Sequence, residues 1–98
     1  MKDMVAFAYN TDVGSDDKPI AMMTLRGGML RFHAPAGSPY KSKLGVLNGN
    51  SLSLDPEEAE EFYYDYVDSW NNRFSGCSSM EMTGKNARIA EKYIRTWV

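Results

Sequence analysis

The chain has 98 residues, of which 43% are hydrophobic and 24% are charged. A chain of this size and composition is typical of one globular domain with a single core, here spanning residues 1–98. Its one cysteine, Cys77, excludes an intrachain disulfide and therefore the class of small secreted disulfide scaffolds. We expect a cytoplasmic protein, because the apolar run 4–8 is too short for a signal peptide and no segment approaches the ~20 apolar residues of a membrane span.

The net charge of -2 conceals a segregation of charge along the sequence. Residues 1–54 contain six basic and four acidic side chains, whereas residues 55–72 contain seven acidic side chains and no basic one. Residues 84–98 contain four basic side chains and one acidic side chain. Segregated charge bears on partners and association rates rather than on fold.

The first predicted strand is Met4–Tyr9, which places Val5, Phe7 and Tyr9 on one face. The polar segment 10–18 is a predicted loop. Its aspartates lack the spacing of a calcium-binding loop, so we predict no metal site there.

The second predicted feature is a hairpin over Pro19–Ala34. Its two-residue turn, Gly27-Gly28, is of a type that demands positive φ at both positions, and it pairs Arg26 with Met29. The predicted core face consists of Ala21, Met23, Leu25, Leu30, Phe32 and Ala34. The opposite face is predicted to be mixed and partly solvated, and it consists of Met22, Thr24, Arg26, Met29, Arg31 and His33.

A second hairpin is predicted over Leu44–Leu54, turning through residues 48–50. We prefer a three-residue loop because it pairs Val46 with Leu52 on an apolar face. The later segment Ser78–Thr83 fits either a short edge strand or a linker.

Helix start signals open the segment Leu54–Phe74. Asp55 is a good N-cap, Pro56 suits the first helical position and Glu58 completes a capping box. Gly76 follows as a helix stop. An apolar stripe at helical period runs along one side of the segment, and it consists of Ala59, Phe62, Tyr63, Tyr66, Val67, Trp70 and Phe74.

A final helix is predicted over Asn86–Trp97. Its apolar stripe consists of Ala87, Ile89, Ala90, Tyr93, Ile94 and Trp97. Strands followed by helices favour an α+β domain. We therefore expect an antiparallel β-sheet of four to five strands, with two hairpins, followed by two C-terminal α-helices packed on one face.

The outer side of the first helix is acidic, and three interpretations compete for it. The three interpretations are a solvated face, a magnesium site and a surface that binds a basic partner. Like charges four residues apart, as at Glu57 and Glu61, repel each other and destabilise an isolated helix. A binding role would explain this unfavourable arrangement of charges. We expect a partner-binding surface made of Glu57, Glu58, Glu61, Tyr64, Asp65 and Asp68.

The alternative is a nucleic-acid-binding surface on the first hairpin and the last helix. Its candidate residues are Arg26, Arg31, Lys41, Lys43, Arg88, Lys92 and Arg95. Aromatic residues that would stack bases are missing from the predicted sheet face, and the low isoelectric point, near 5.3, disfavours this function. A simpler interpretation is that the basic helix neutralises an acidic helix beside it.

An enzyme built around His33 and Cys77 is the least favoured class. His33 is the only histidine, and the neighbouring Arg31 disfavours its protonated form. Cys77, in a predicted loop, lacks the base or cation that forms a thiolate. We therefore predict no catalytic residue, no metal and no cofactor. Met22 and Met29, on the outer sheet face, would suit a homodimer surface.

These observations predict a non-enzymatic protein-interaction module that occupies a basic surface of a partner, such as a nucleic-acid-binding effector. Small acidic single-domain proteins of this kind include phage and mobile-element inhibitors of host defence systems, among them anti-CRISPR proteins. The analogy is one of size and charge, with no motif behind it.

Overall fold

The computed structural model describes residues 2–9, 19–35, 37–38, 51–53, 55–74 and 76–97. The elements in chain order are β1 Met4–Tyr9, β2 Ala21–Arg26, β3 Met29–His33, β4 Ser51–Ser53, α1 Pro56–Arg73, β5 Gly76–Glu81 and α2 Gly84–Thr96.

The strands form one antiparallel sheet in the order β4-β3-β2-β1-β5. The first four strands neighbour one another in sequence order. The chain then passes through α1 from one edge of the sheet to the other, where β5 pairs with β1. The α+β class and the antiparallel sheet are confirmed, and the segment at 78–83 contributes to an edge strand.

The β2–β3 hairpin has the predicted register, pairing Arg26 with Met29 and Met22 with His33. Gly27 and Gly28 both have positive φ, at 56° and 78°. All six residues of the predicted core face lie in one buried cluster against α1. Turn chemistry and apolar alternation point to the same register, which is why it could be predicted.

The second predicted hairpin is described only in part. Its last strand is β4, which pairs with β3 and places Leu52 opposite Leu30. Its other arm, with the partner proposed for Leu52, and its turn lie outside the described residues.

The two helices cover opposite faces of the sheet, whereas we expected both on one face. The core with α1 contains Ala6 and Ala8 of β1. The core with α2 contains Val5, Phe7 and Met22. Successive side chains of a strand point to opposite faces, and β1 is apolar on both of them, so both faces need a cover.

The same arrangement corrects the prediction of a partly solvated outer face. Met22 and Thr24 are completely buried, with at most 1% of either residue exposed. Met22 therefore cannot contribute to a homodimer surface. Met29, farther toward the edge of the sheet, is 36% exposed.

Helix α1 begins as predicted. The Asp55 carboxylate accepts a hydrogen bond from the Glu58 backbone N–H at 3.0 Å, and Pro56 is the first helical residue. Its inner side buries Tyr63 and Trp70 fully. Gly76, predicted as the helix stop, is the first residue of β5.

Helix α2 packs more lightly. Ala90 is its buried residue, and Tyr93 meets Phe7 edge to face with ring centroids 6.1 Å apart. None of the described helices is long and apolar enough to cross a membrane.

Candidate protein-binding surface

The outer side of α1 carries six carboxylates, and all six are exposed. We call this the acidic face, and it consists of Glu57, Glu58, Glu60, Glu61, Asp65 and Asp68. The helix has 18 residues and is therefore about 27 Å long. Five of the six carboxylates are in the predicted partner-binding set, and the structure adds Glu60.

Five of the six carboxylates of the acidic face, all except Glu60, lie on two neighbouring stripes, since residues three and four apart lie on one side of a helix. One stripe consists of Glu57, Glu61, Tyr64 and Asp68. The other consists of Glu58, Phe62 and Asp65. Each stripe thus contains one aromatic residue framed by carboxylates.

Both aromatic residues are accessible, with Tyr64 46% exposed and Phe62 42% exposed. The exposure of Tyr64 agrees with its predicted place on the outer side. Phe62 was assigned to the core stripe, and this is wrong, because it lies at the flank of the helix and stacks on Tyr66 at a centroid distance of 6.3 Å.

Tyr64 lines two shallow clefts. One, of about 300 Å³, is otherwise lined by Glu57, Glu60 and Glu61. The other, of about 270 Å³, is bounded by Glu60, by Lys2 and by Met4 of β1 and Leu25 of β2. Both are at or below the small end of the range for small-molecule pockets, so they fit side chains of a protein partner better than a cofactor.

Within the described part of the chain, the structure records no ion pair for any carboxylate of the acidic face; the recorded pair joins Arg26 and Glu91. Among the same residues, no group of three metal-ligating side chains is placed to hold an ion. The acidic face is therefore an extended array of separate negative charges rather than a converging set of ligands.

No protein-family model, curated protein or solved structure matches this chain.

The outer side of α2 is the counterpart of the acidic face. We call it the basic face, and it consists of the exposed residues Lys85, Arg88, Lys92 and Arg95. Because α1 and α2 cover opposite faces of the sheet, the basic helix does not lie beside the acidic one. The interpretation that the basic helix neutralises the acidic helix is therefore wrong.

Two of the other predicted nucleic-acid-binding residues, Arg26 and Arg31, lie on the α2 side of the sheet, where they line a cleft with Ile94 of α2. Arg26 donates a hydrogen bond to the Glu91 carboxylate at 2.9 Å, and Arg31 is exposed on β3. Lys41 and Lys43 lie outside the described residues.

His33 is half-buried on the α2 side of the sheet. Its Nε2 lies 3.2 Å from the hydroxyl of the buried Thr24. Burial, with a smaller contribution from the Arg31 charge, lowers the pKa of His33 to about 4. The ring is therefore neutral at pH 7. It is a poor general base, because an effective general base has a pKa near the pH at which the enzyme works.

Cys77 lies in β5 opposite Ala8 rather than in a loop, and it packs against the α1 core. Burial raises its pKa to about 11, so the thiol stays protonated at neutral pH. His33 pairs with Met22 on the other face of the sheet. The sheet thus separates Cys77 from His33, and the two do not form a nucleophile and base pair.

Proposed function

We propose that this chain is a non-enzymatic binding module whose acidic face occupies a basic surface of a partner protein. The observation that carries the proposal is the array of six exposed carboxylates, for which the described residues provide no ion pair. Repulsion between charges four residues apart opposes the helix. A basic partner would relieve that repulsion.

The two kinds of residue on the acidic face have different roles in this proposal. The carboxylates speed and orient the encounter, because exposed charges act mainly on association rate and specificity. These carboxylates are Glu57, Glu58, Glu61, Asp65 and Asp68. Tyr64, framed by them, supplies the contact that is buried in the complex. Tyrosine is enriched among the few residues that dominate binding energy.

The class of partner follows from the sign and extent of the charge. Proteins that hold nucleic acid present basic grooves to the phosphate backbone, and an acidic helix would compete for such a groove. We propose an effector of this kind as the target, with the chain acting as an inhibitor of a host defence system carried by a phage or mobile element, in analogy to anti-CRISPR proteins. Size and charge support this role.

The test is a pull-down from source-cell lysate with tagged protein, with and without nuclease. The variant is the pair Glu61→Lys and Asp65→Lys, and the matched control is the pair Arg88→Glu and Arg95→Glu on the basic face. Circular dichroism verifies that each variant is folded. We expect one stoichiometric protein that survives nuclease, is retained by the control and is bound at least ~10-fold more weakly by the acidic-face variant.

Equal binding by wild type and the acidic-face variant would refute the proposal. Nucleic acid that elutes alone, is released by salt and is lost in the Arg88 and Arg95 variant would instead identify the basic face as the functional surface.

A further inference from the structure

The acidic and basic faces contain matching patterns of charged and apolar residues. On α1, Glu58 lies four residues before Phe62 and Asp65 lies three residues after it. On α2, two lysines occupy the same positions around Ile89, with Lys85 four residues before it and Lys92 three after it. In both helices this spacing places the three side chains on one side, with the apolar residue between the charges.

The α2 pattern borders a cleft of about 450 Å³ between that helix and strands β1 and β5. Phe7 and Met80 line it from the strands, while Ile89, Lys85 and Lys92 line it from the helix. Tyr9, Pro19, Asn86 and Tyr93 complete the lining, so the walls are mainly apolar and aromatic and two lysines lie among them. The cleft is large enough for an aromatic side chain.

The α1 pattern is its complement in shape and charge. Phe62 is 42% exposed and projects from the flank of α1, with Glu58 and Asp65, both exposed, on either side. The distance along the helix axis between the two charges is about 10 Å in both patterns, since each pair is seven residues apart.

We propose that copies of this chain associate head to tail, with α1 of one copy docking on α2 of the next. Phe62 enters the cleft beside Ile89, and the Glu58 and Asp65 carboxylates meet the Lys85 and Lys92 ammonium groups. Exposed ion pairs contribute little by themselves. Burial of the phenyl ring therefore supplies the attraction, and the charges select the register.

The two docking surfaces lie on opposite sides of the sheet, so the contact is heterologous. Each copy in a pair keeps one of its two docking surfaces unoccupied, and a further copy binds there, so the assembly grows. The association goes beyond the proposed function. It requires Lys85, Lys92 and Phe62, which the proposed partner contact does not use, whereas Glu58 and Asp65 belong to the acidic face and are shared by the two contacts.

The test is sedimentation velocity of the full chain over a wide range of concentrations, at low and high salt. For the wild type we expect a sedimentation coefficient that rises with concentration at low salt and rises less steeply at high salt, because salt screens the charges but not the burial of the phenyl ring. Phe62→Ser should remove the concentration dependence.

Charge swaps separate docking from simple loss of structure. The acidic swap is Glu58→Lys with Asp65→Lys, and the basic swap is Lys85→Glu with Lys92→Glu. Each swap alone should be monomeric. A mixture of the two swaps, and a chain carrying all four changes, should associate again because the charges are complementary once more.

Within the basic swap, Lys85→Glu is favourable to the helix dipole because residue 85 is in the first turn of α2, and circular dichroism verifies that the chain with both changes is folded. A wild-type chain that stays monomeric at low salt would overturn the proposal. Association of the wild type that the four-residue swap does not restore would overturn it as well. Loss of association by the basic swap with unchanged capture of a partner protein would support it and show that the two interactions are separate.

Discussion

The two sides of the sheet differ in how firmly their helices are attached. On the α1 side, Trp70 and Tyr63 are fully buried and Phe32 contacts Trp70 with ring centroids 6.0 Å apart. On the α2 side, Ala90 is the buried helical residue, and Tyr93 is only partly covered. A large aromatic interior therefore fixes α1, whereas α2 lies on the sheet as a lighter cover.

The N-terminal ends of the two helices also indicate that α1 is held more firmly than α2. Asp55 caps α1 with a side-chain hydrogen bond, while at Thr83, which precedes α2, the described residues show no such cap. The first turn of α2 also contains Lys85 and no acidic residue, which is unfavourable to the helix dipole. We infer that α2 is the part of the fold that opens first.

The most severe test of this comparison removes one aromatic residue from each side. Trp70→Ala should lower the free energy of unfolding by about 3–5 kcal/mol, because it empties a large volume in a packed core. Tyr93→Ala should cost about half as much, since the ring is partly solvated in the folded chain. Urea denaturation followed by circular dichroism measures both. Equal losses would show that the two helices are equally anchored.

The α2 side should also respond to pH through His33. Its pKa is about 4 in the folded chain, against an ordinary value of 6.5. Between these values the unfolded chain binds a proton that the folded chain does not, so stability is complete above pH 6.5 and decreases as the pH falls toward 4. The full pKa shift corresponds to a loss of about 3 kcal/mol in the free energy of unfolding. Because His33 is partly exposed, we expect a loss of roughly 1–2 kcal/mol.

The matched variant for this prediction is His33→Gln, which can still hydrogen-bond to Thr24 but does not titrate. Urea unfolding at several pH values should show a smaller loss on acidification for the variant than for the wild type. Parallel curves for the two proteins would mean that other groups cause the acid sensitivity.

A polar contact joins α1 to the edge strand β5, and its removal should have a moderate effect. The Tyr63 hydroxyl lies 2.7 Å from the Ser79 hydroxyl of β5. Tyr63→Phe should cost about 1 kcal/mol, the usual net contribution of one hydrogen bond. In a double-mutant cycle with Ser79→Ala, measured by chemical denaturation, the two losses should not add. Additive losses would show that the two hydroxyls act independently.

The firm side of the molecule was largely predictable from sequence. The start of α1 could be predicted because Asp55, Pro56 and Glu58 are local signals. The β2–β3 register could be predicted because the turn at Gly27 and the apolar alternation agree. Both depend on residues close together in the chain, where local chemistry decides the conformation.

The arrangement of the helices depends on distant contacts, and the prediction that both pack on one face of the sheet is wrong. The alternation of β1 shows apolar residues on both faces, yet it does not say which helix covers which face. The small and polar residues around Cys77 predict a loop, whereas pairing with β1 makes that segment a strand. Nonlocal pairing overrode local preference.

The candidate site was predicted in the same uneven way. Helical period alone places Glu61 and Asp65 on the outer side of α1. It does not decide the exposure of Phe62, which lies at the border of the apolar stripe, because exposure there depends on where the sheet beneath the helix ends.

The smallest expected effect concerns the ion pair between Arg26 and Glu91, which ties the β2–β3 hairpin to α2 at 2.9 Å. Both side chains are about half exposed, at 52% and 44%, so the pair should contribute less than about 1 kcal/mol. A double-mutant cycle with Arg26→Gln and Glu91→Gln at low salt should give that coupling, and high salt should abolish it. If the coupling were instead large and insensitive to salt, α2 would be held by a specific contact and would not be the lighter of the two covers.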